Sequence, residues 1–334
     1  MRFKFIFGFF FVLSVAALTS GLTIYYALNR PMVVTQKAPV ITLKPRATAY
    51  DLIQILHQKK LIASPWLVRI YLKLTHLAES LKTGVYQVLP NESIRHFIQR
   101  VVQGDVITCT ISFIEGSTVA QLSQKLATAP YLNYQASDWQ AIWQHYTNCE
   151  GLILANSYQY EANTSAQPIL KRAHQDLINY LNHAWQTRFA NLPYKSPYEL
   201  LIAASIIEKE TSILTEKRLI SGVIVNRLRK KMPLQMDPTV IYGLGLAFTG
   251  KLTHQNMVSN SPYNTYIHRG LPPTPIAIVG KQAIDAAAQP LMTSYLYFVA
   301  KGDKTHIFSK TYEQQKKAIQ RYILTKPKGI YHAQ

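Results

Sequence analysis

The chain is expected to be an α+β protein, with a single membrane-crossing helix at its amino end, a small strand–turn–helix module, and a larger mixed α+β domain. Three observations predict this. A strand–turn–helix pattern occurs three times between Val40 and Leu126. A nearly unbroken apolar helix follows in the middle of the chain, from Pro197 to just past Glu210. Near the carboxyl end, Tyr295–Ala300 and Thr305–Ser309, joined by Lys301-Gly-Asp-Lys, read as a closing hairpin. At 334 residues the chain is long enough for two or three domains. Boundaries are placed at residues 1–30, 31–110 and 111–334.

The first element is the run from Phe5 to Leu28, apolar apart from small, hydroxyl and tyrosine residues and long enough to cross a bilayer as a helix. Arg2 and Lys4 precede it and Arg30 follows, which favours a cytoplasmic amino end and an exported remainder. A cleaved signal peptide is the alternative, because Ser14-Val-Ala-Ala-Leu-Thr-Ser-Gly offers small residues near a cut. Asn29–Val40 reads as an extended linker. The repeated units are Val40–Pro45 then Ala49–Leu56, Gly84–Pro90 then Ser93–Val101, and Ile111–Gly116 then Ser117–Leu126. Each has Pro or Gly at the turn and Ser or Thr near the N-cap. Another helix is expected over Pro65–Lys73.

From Ala127 to Tyr160 the chain is rich in aromatics, among them Tyr131, Trp139, Trp143, Tyr158 and Tyr160. These either stack on sugar rings or fill an ordinary core. Gln167–Phe189 has helical periodicity. Ser196 followed by Pro197 suits the N-cap and first position of the central helix. The next helix, Glu216–Lys230, places Ile220, Val223, Ile224 and Leu228 on a core face and Arg218, Arg227, Arg229, Lys230 and Lys231 on a basic one. Asn256–Pro275 is a long segment dense in Asn, Ser, Tyr, Gly and Pro, and so long a loop is usually functional.

Lys and Arg outnumber Asp and Glu by 36 to 17, for a formal charge of +19. Such a charge attracts polyanions. Export of the bulk of the chain excludes nucleic acid and leaves anionic lipid or an acidic wall polymer. The two cysteines, Cys109 and Cys149, have neither metal-ligand spacing nor a CxxC arrangement. No metal and no cofactor are expected.

The chemistry-bearing candidates are Glu208 and Glu210, at the end of the apolar helix. At about 100° per residue they lie roughly 200° apart and cannot face each other as a pair. A carboxyl on a helix buried all round is desolvated, its pKa is raised, and a raised pKa is what a general acid needs. The alternative is that Glu208-Lys-Glu210 is only the polar end of a core helix.

Seven segments in order bear on that choice: Ser205–Thr211 (SIIEKET), Val225–Leu228 (VNRL), Leu234–Gly245 (LQMDPTVIYGLG), Ser261–Tyr266 (SPYNTY), Gly270–Ile276 (GLPPTPI), Tyr295–Ala300 and His306–Ser309. Together they resemble the membrane-anchored endolytic murein transglycosylases, over essentially the whole chain. The repeated module is similar to that family's LysM-like region. The resemblance implies cleavage of the β-1,4 bond between N-acetylmuramic acid and N-acetylglucosamine within nascent peptidoglycan strands, leaving a 1,6-anhydro end. It implies a single-pass protein of the bacterial inner membrane, with its catalytic domain in the periplasm and peptidoglycan synthases as partners.

The family's catalytic glutamate falls on Glu210. Gln235, Asp237, Tyr263, Asn264 and Tyr266 match motif positions suited to holding sugar, and Asp237 equally suits a structural turn. Glu208 and Thr211 become supporting residues. A glycoside hydrolase normally needs two carboxyls, about 5–5.5 Å apart for retention or about 6.5–9.5 Å for inversion. A water-free lyase needs one, first as acid to the leaving oxygen, then as base to the C6 hydroxyl. A muramidase-type hydrolase and a non-catalytic wall-binding scaffold that recruits synthases remain the alternatives. The chain departs from the family pattern at Leu154-Ala-Asn-Ser-Tyr158, which lacks a proline and an acid, and at Ile276-Ala-Ile-Val-Gly280, where Asn-Pro-Gly is common. Some relatives carry an aminodeoxychorismate lyase label, but no lysine-centred pyridoxal phosphate motif is present.

Overall fold

The computed structural model describes residues 2–32, 39–143 and 146–324. The chain divides into two compact units, one of Met1–Cys109 with Gln159–Thr164 and the other of Thr110–Tyr158 with Ser165–Gln334.

The first unit contains α1 (Arg2–Asn29), β1 (Val40–Leu43), α2 (Ala49–Gln58), α3 (Pro65–Leu74), β2 (Gly84–Gln87) and α4 (Ile94–Gln103). Alternation in β1 buries Ile41 and Leu43, and the strand pairs antiparallel to β2 with Val40 opposite Gln87. Local chemistry fixes the helix starts. The Thr48 hydroxyl accepts from Asp51 N while the Asp51 carboxylate accepts from Thr48 N at 2.7 Å, and Ser93 caps α4 through His96 N. Leu52, Leu56, Tyr86, Phe97, Ile98 and Val101 form the core. Arg100 is buried across the unit, paired with Glu92 at 3.1 Å and Asp105 at 2.6 Å.

The expected membrane-crossing helix is corrected here: among the described residues, no helix is long and apolar enough to cross a bilayer. The segment is helical, but Ser14, Thr19, Ser20, Gly21 and Thr23 dilute its apolar surface. The Thr19 and Thr23 hydroxyls bond back to the carbonyls of Val15 and Thr19. Two apolar residues near its carboxyl end are committed to protein. Leu28 is buried and Ile24 partly so in the core that includes α3 and α4, and Met32 N donates to Glu92 O. Residues 33–38 of the expected linker lie outside the described residues, as do residues 325–334 of the basic tail.

The second unit takes in most of β3 (Thr108–Phe113), α5 (Val119–Ala127), β4 (Leu132–Asn133), α6 (Gln140–Trp143) and part of β5 (Asn156–Glu161). After β6 (Thr164–Ser165) come α7 (Gln167–Gln186), α8 (Pro197–Glu210), α9 (Leu214–Arg229), α10 (Asp237–Leu244), α11 (His254–Met257) and α12 (Lys281–Ala288). The chain closes with β7 (Tyr297–Ala300), β8 (His306–Ser309) and α13 (Tyr312–Ile319). The strands pair two by two: β3 with β5, β4 with β6, and β7 antiparallel to β8.

Everything in this unit is arranged around α8. Every residue from Leu200 to Ile207 is buried, and α7, α9, α10 and α12 pack against it. Helix α12 presents Ala283, Ala286, Ala287 and Ala288, whose small side chains permit close approach. The Ser205 hydroxyl, fully buried, donates to Ile202 O and accepts from Ile276 N at 3.0 Å, which ties the 270–280 segment to the helix. That segment also exchanges backbone bonds with the turn before α5, through Gly116 N to Ile278 O and Ile278 N to Ser117 O.

Candidate active site

Glu210 is the last residue of α8, as its place at the end of the apolar run implies. The residue keeps some exposure, while protein crowds its carboxyl. Desolvation first, and the neighbouring Asp237 second, push its pKa up to about 8. Among the described residues no side chain donates a hydrogen bond to it or pairs with it. It is therefore a protonated carboxyl at neutral pH with its proton uncommitted, the condition a general acid requires.

Glu208 meets the opposite environment. It forms an ion pair with Lys217 of α9, and the two side chains are 4% and 2% exposed. Its second oxygen accepts from Gly280 N at 2.9 Å. Both oxygens are spent inside the fold, so Glu208 braces α8 against α9 and the 276–280 segment. Thr211 is buried and turned away from solvent. Its hydroxyl accepts from Ile213 N at 3.1 Å and reaches Glu216 at 3.4 Å. Glu216 in turn accepts from the backbone and ring of His306, at 2.9 and 2.8 Å, which anchors the turn after Glu210 to β8.

Helix α10 begins at Asp237, whose carboxylate accepts from the Tyr266 hydroxyl at 2.5 Å. Burial, then Asp237 by charge and hydrogen bond, then Glu210, push the Tyr266 phenol strongly up. Glu210, Asp237 and Tyr266 thus form one electrostatic group. Gln235 is exposed with φ 52°, and its side-chain oxygen accepts from Arg227 at 3.1 Å. Tyr263 is half-buried and its hydroxyl bonds Thr274 Oγ1 at 2.9 Å. Asn264 is fully buried: its amide donates to Met257 O and Ser259 O, and its oxygen accepts from Tyr266 N. Asn264 shapes the loop and presents nothing to a ligand.

Two residues of this site were not singled out by the sequence. Arg227, set there on a basic face, is 5% exposed. It donates to the carbonyls of Leu296, Pro233 and Leu234 as well as to Gln235, fixing the segment that leads into Asp237. Its position in Val225–Leu228, and its place within about 40° of Ile220 and Val223 on the helix, were the signals. Glu150 is buried beneath α10, where it accepts from Val119 N at 3.0 Å and from the Tyr242 hydroxyl at 3.3 Å. Desolvation pushes it up to about 7, against the pull of those bonds and of Lys209. The following Gly151 has φ 71°, and a Cβ there would meet Pro275 Cβ at 2.4 Å, so only glycine allows the Gly270–Ile276 segment so close.

Of the aromatics read as possible sugar platforms, Trp139, Tyr158 and Tyr160 are buried, and Tyr131 and Trp143 are exposed. The Trp139 indole donates to Ser123 and Tyr134, as a core tryptophan does. Both cysteines are free, Cys149 buried and Cys109 half-buried.

Over 180 residues the chain is 37% identical to an endolytic murein transglycosylase of Bacillus subtilis, covering 53% of this chain and 49% of that one. Over 259 residues it is 25% identical to an endolytic murein transglycosylase of Streptococcus pneumoniae, covering 66% and 46% respectively. The chain spans about half the length of these curated relatives. A crystal structure of a YceG-like protein from Listeria monocytogenes matches with a TM-score of 0.54 and 27% identity, over 84% of this chain and 98% of that one. A model described as the YceG-like family matches residues 41–321, and the chain belongs to that family.

Proposed function

We propose that the protein is an endolytic lytic transglycosylase of peptidoglycan, cutting the N-acetylmuramic acid to N-acetylglucosamine bond within uncrosslinked strands and leaving a 1,6-anhydro end. One observation carries the proposal: Glu210 is a carboxyl with no side-chain partner among the described residues, raised to about 8, on a helix packed by α7, α9, α10 and α12. In this reading it protonates the glycosidic oxygen as the bond to C1 breaks. The resulting carboxylate then accepts the C6 hydroxyl proton as that oxygen closes on C1, so the same group ends protonated and no water enters. Tyr266, Asp237 and Gln235 flank the reacting sugar, and Tyr263 extends the site beyond it. The curated relatives of Bacillus subtilis and Streptococcus pneumoniae carry the matching name.

The place of action is the outer face of the cytoplasmic membrane, where new strands emerge, and the partners are the synthases that make them. A chain charge of +19 draws the protein to an acidic wall polymer. A second reading has one observation in its favour. Asp237 lies close enough to Glu210 to raise its pKa, so a second carboxyl is present for a muramidase-type hydrolysis. In the lytic reading, Asp237 instead tunes the acid and holds Tyr266.

The test is Glu210→Gln in the full chain. The amide keeps the shape and relieves a buried acid, so thermal stability is retained or raised, and release of fragments from purified uncrosslinked strands falls by about 10³-fold or more. Fragment release at the unsubstituted rate would remove Glu210 from the mechanism.

A further inference from the structure

Four half-buried tyrosines from separate segments of the second unit stand near one another: Tyr146 ahead of β5, Tyr198 in the first turn of α8, Tyr242 on α10, and Tyr263. Tyr146 and Tyr198 pack with centroids 5.5 Å apart and planes tilted by 35°. Tyr242 meets Tyr263 edge-on at 4.8 Å. The two pairs adjoin through Thr274: Asn148, two residues beyond Tyr146, donates to Thr274 Oγ1 at 3.5 Å, the atom that the Tyr263 hydroxyl bonds at 2.9 Å.

Two of the hydroxyls are held by the protein. Tyr242 is tied to the buried Glu150 carboxyl and Tyr263 to the buried Thr274 hydroxyl, so the rings are pinned from below. Glu150 is itself fixed by Val119 N and by the tight turn at Gly151. Rings of this kind, immobile and partly open, offer flat apolar faces framed by polar groups, the surface on which a pyranose ring packs its C–H face.

The wall and the neighbours of the acid share one segment, Ser261–Tyr266. Tyr263 is three residues from Tyr266, which bonds Asp237 beside Glu210. Tyr198 and Glu210 lie at opposite ends of α8, about 18 Å apart along its axis at 1.5 Å per residue. One sugar bound at Glu210 does not span that distance; a chain of sugars does. We infer that Tyr146, Tyr198, Tyr242 and Tyr263 form an aromatic subsite for the saccharides of a glycan strand remote from the bond that is cut, with Glu150 as the residue that positions it.

This rests on the glycan reading of Glu210, and the experiment separates the two. In full-length protein carrying Glu210→Gln to stop turnover, calorimetry measures affinity for long uncrosslinked strands and for a tetrasaccharide. Adding Tyr198→Ala or Tyr146→Ala lowers long-strand affinity by about tenfold and shrinks the preference for long over short. Tyr198→Phe, which keeps the ring, restores it. Long-strand affinity unchanged in both alanine variants, or a phenylalanine variant as weak as the alanine one, overturns the subsite. Tyrosine-dependent binding with no strand cleavage by the unsubstituted protein would leave the subsite standing and the lytic reading fallen. Normal cleavage with tyrosine-independent binding gives the reverse.

Discussion

Glu208 and Glu210 are two residues apart in one helix, yet one has both oxygens bound inside the fold and the other, among the described residues, neither. That they could not face each other was legible from the helical repeat alone. Which of them was buried against a cation was not, because Lys217 reaches Glu208 only through the packing of α9 on α8. Glu208→Gln leaves the Lys217 ammonium buried without its counter-charge, and such a loss costs about 3–5 kcal/mol. Chemical denaturation should therefore show Glu208→Gln strongly destabilised while Glu210→Gln is not. Equal stability of the two would contradict the assignment.

Asp237 is the residue whose role the sequence left open. Its negative charge raises Glu210, so its removal must lower it. The acid form of Glu210 is required below its pKa of about 8, and kcat/KM should fall about tenfold per pH unit above that value. In Asp237→Asn the alkaline limb moves to lower pH. An unmoved limb would mean that the acid seen in the profile is not Glu210.

At the scale of elements, α8 was the most legible part of the chain. Ser196 and Pro197 set its start, and the run from Leu200 to Ile207 has no polar face to offer solvent. The three capped strand–turn–helix segments and the closing hairpin were legible for the same reason, since their signals are local. Helix α12 was not read, because its apolar face is short and made of alanines with a single isoleucine, Ile284. The amino-terminal helix was read as a bilayer span from its length and hydropathy. The physical detail that a window of hydropathy misses is that Ile24 and Leu28 pack into the first unit.

Arg227 on α9 shows the limit of reading by residue type. At about 100° per residue it lies within about 60° of Ile220, Val223 and Ile224 and about 180° from Arg218, and the loop from Pro233 to Gln235, with Leu296 just before β7, takes its donors. Its planar fork serves three carbonyls and an amide oxygen at once, which a lysine cannot do. Arg227→Lys should loosen the approach to Asp237 and lower kcat/KM on glycan strands by about 10–100-fold, with a smaller change in melting temperature. Steady-state kinetics alongside thermal melting separate this from simple unfolding, and unaltered kinetics would show that the clamp does not serve the site.

At the scale of the whole molecule, the site belongs to the second unit alone, and the residues that make it come from every third of that unit's sequence: Glu150, Glu210, Asp237, Tyr266 and His306. This is why the family motifs, read in order, named residues spread across the unit while the connections between them stayed hidden. The resemblance singled out Glu210; the fold adds the reasons it can act, namely its desolvation, its freedom from partners, and the bracing of its helix by Glu208 and Thr211. The open question of mechanism is whether Asp237 tunes the acid or activates water.

Mass spectrometry of the fragments released from uncrosslinked glycan strands decides it most directly. The account predicts ends that are 1,6-anhydro, lighter by one water than a reducing end, and absent when Glu210→Gln replaces the acid. Fragments that carry reducing ends, or anhydro ends that persist in Glu210→Gln, would contradict it.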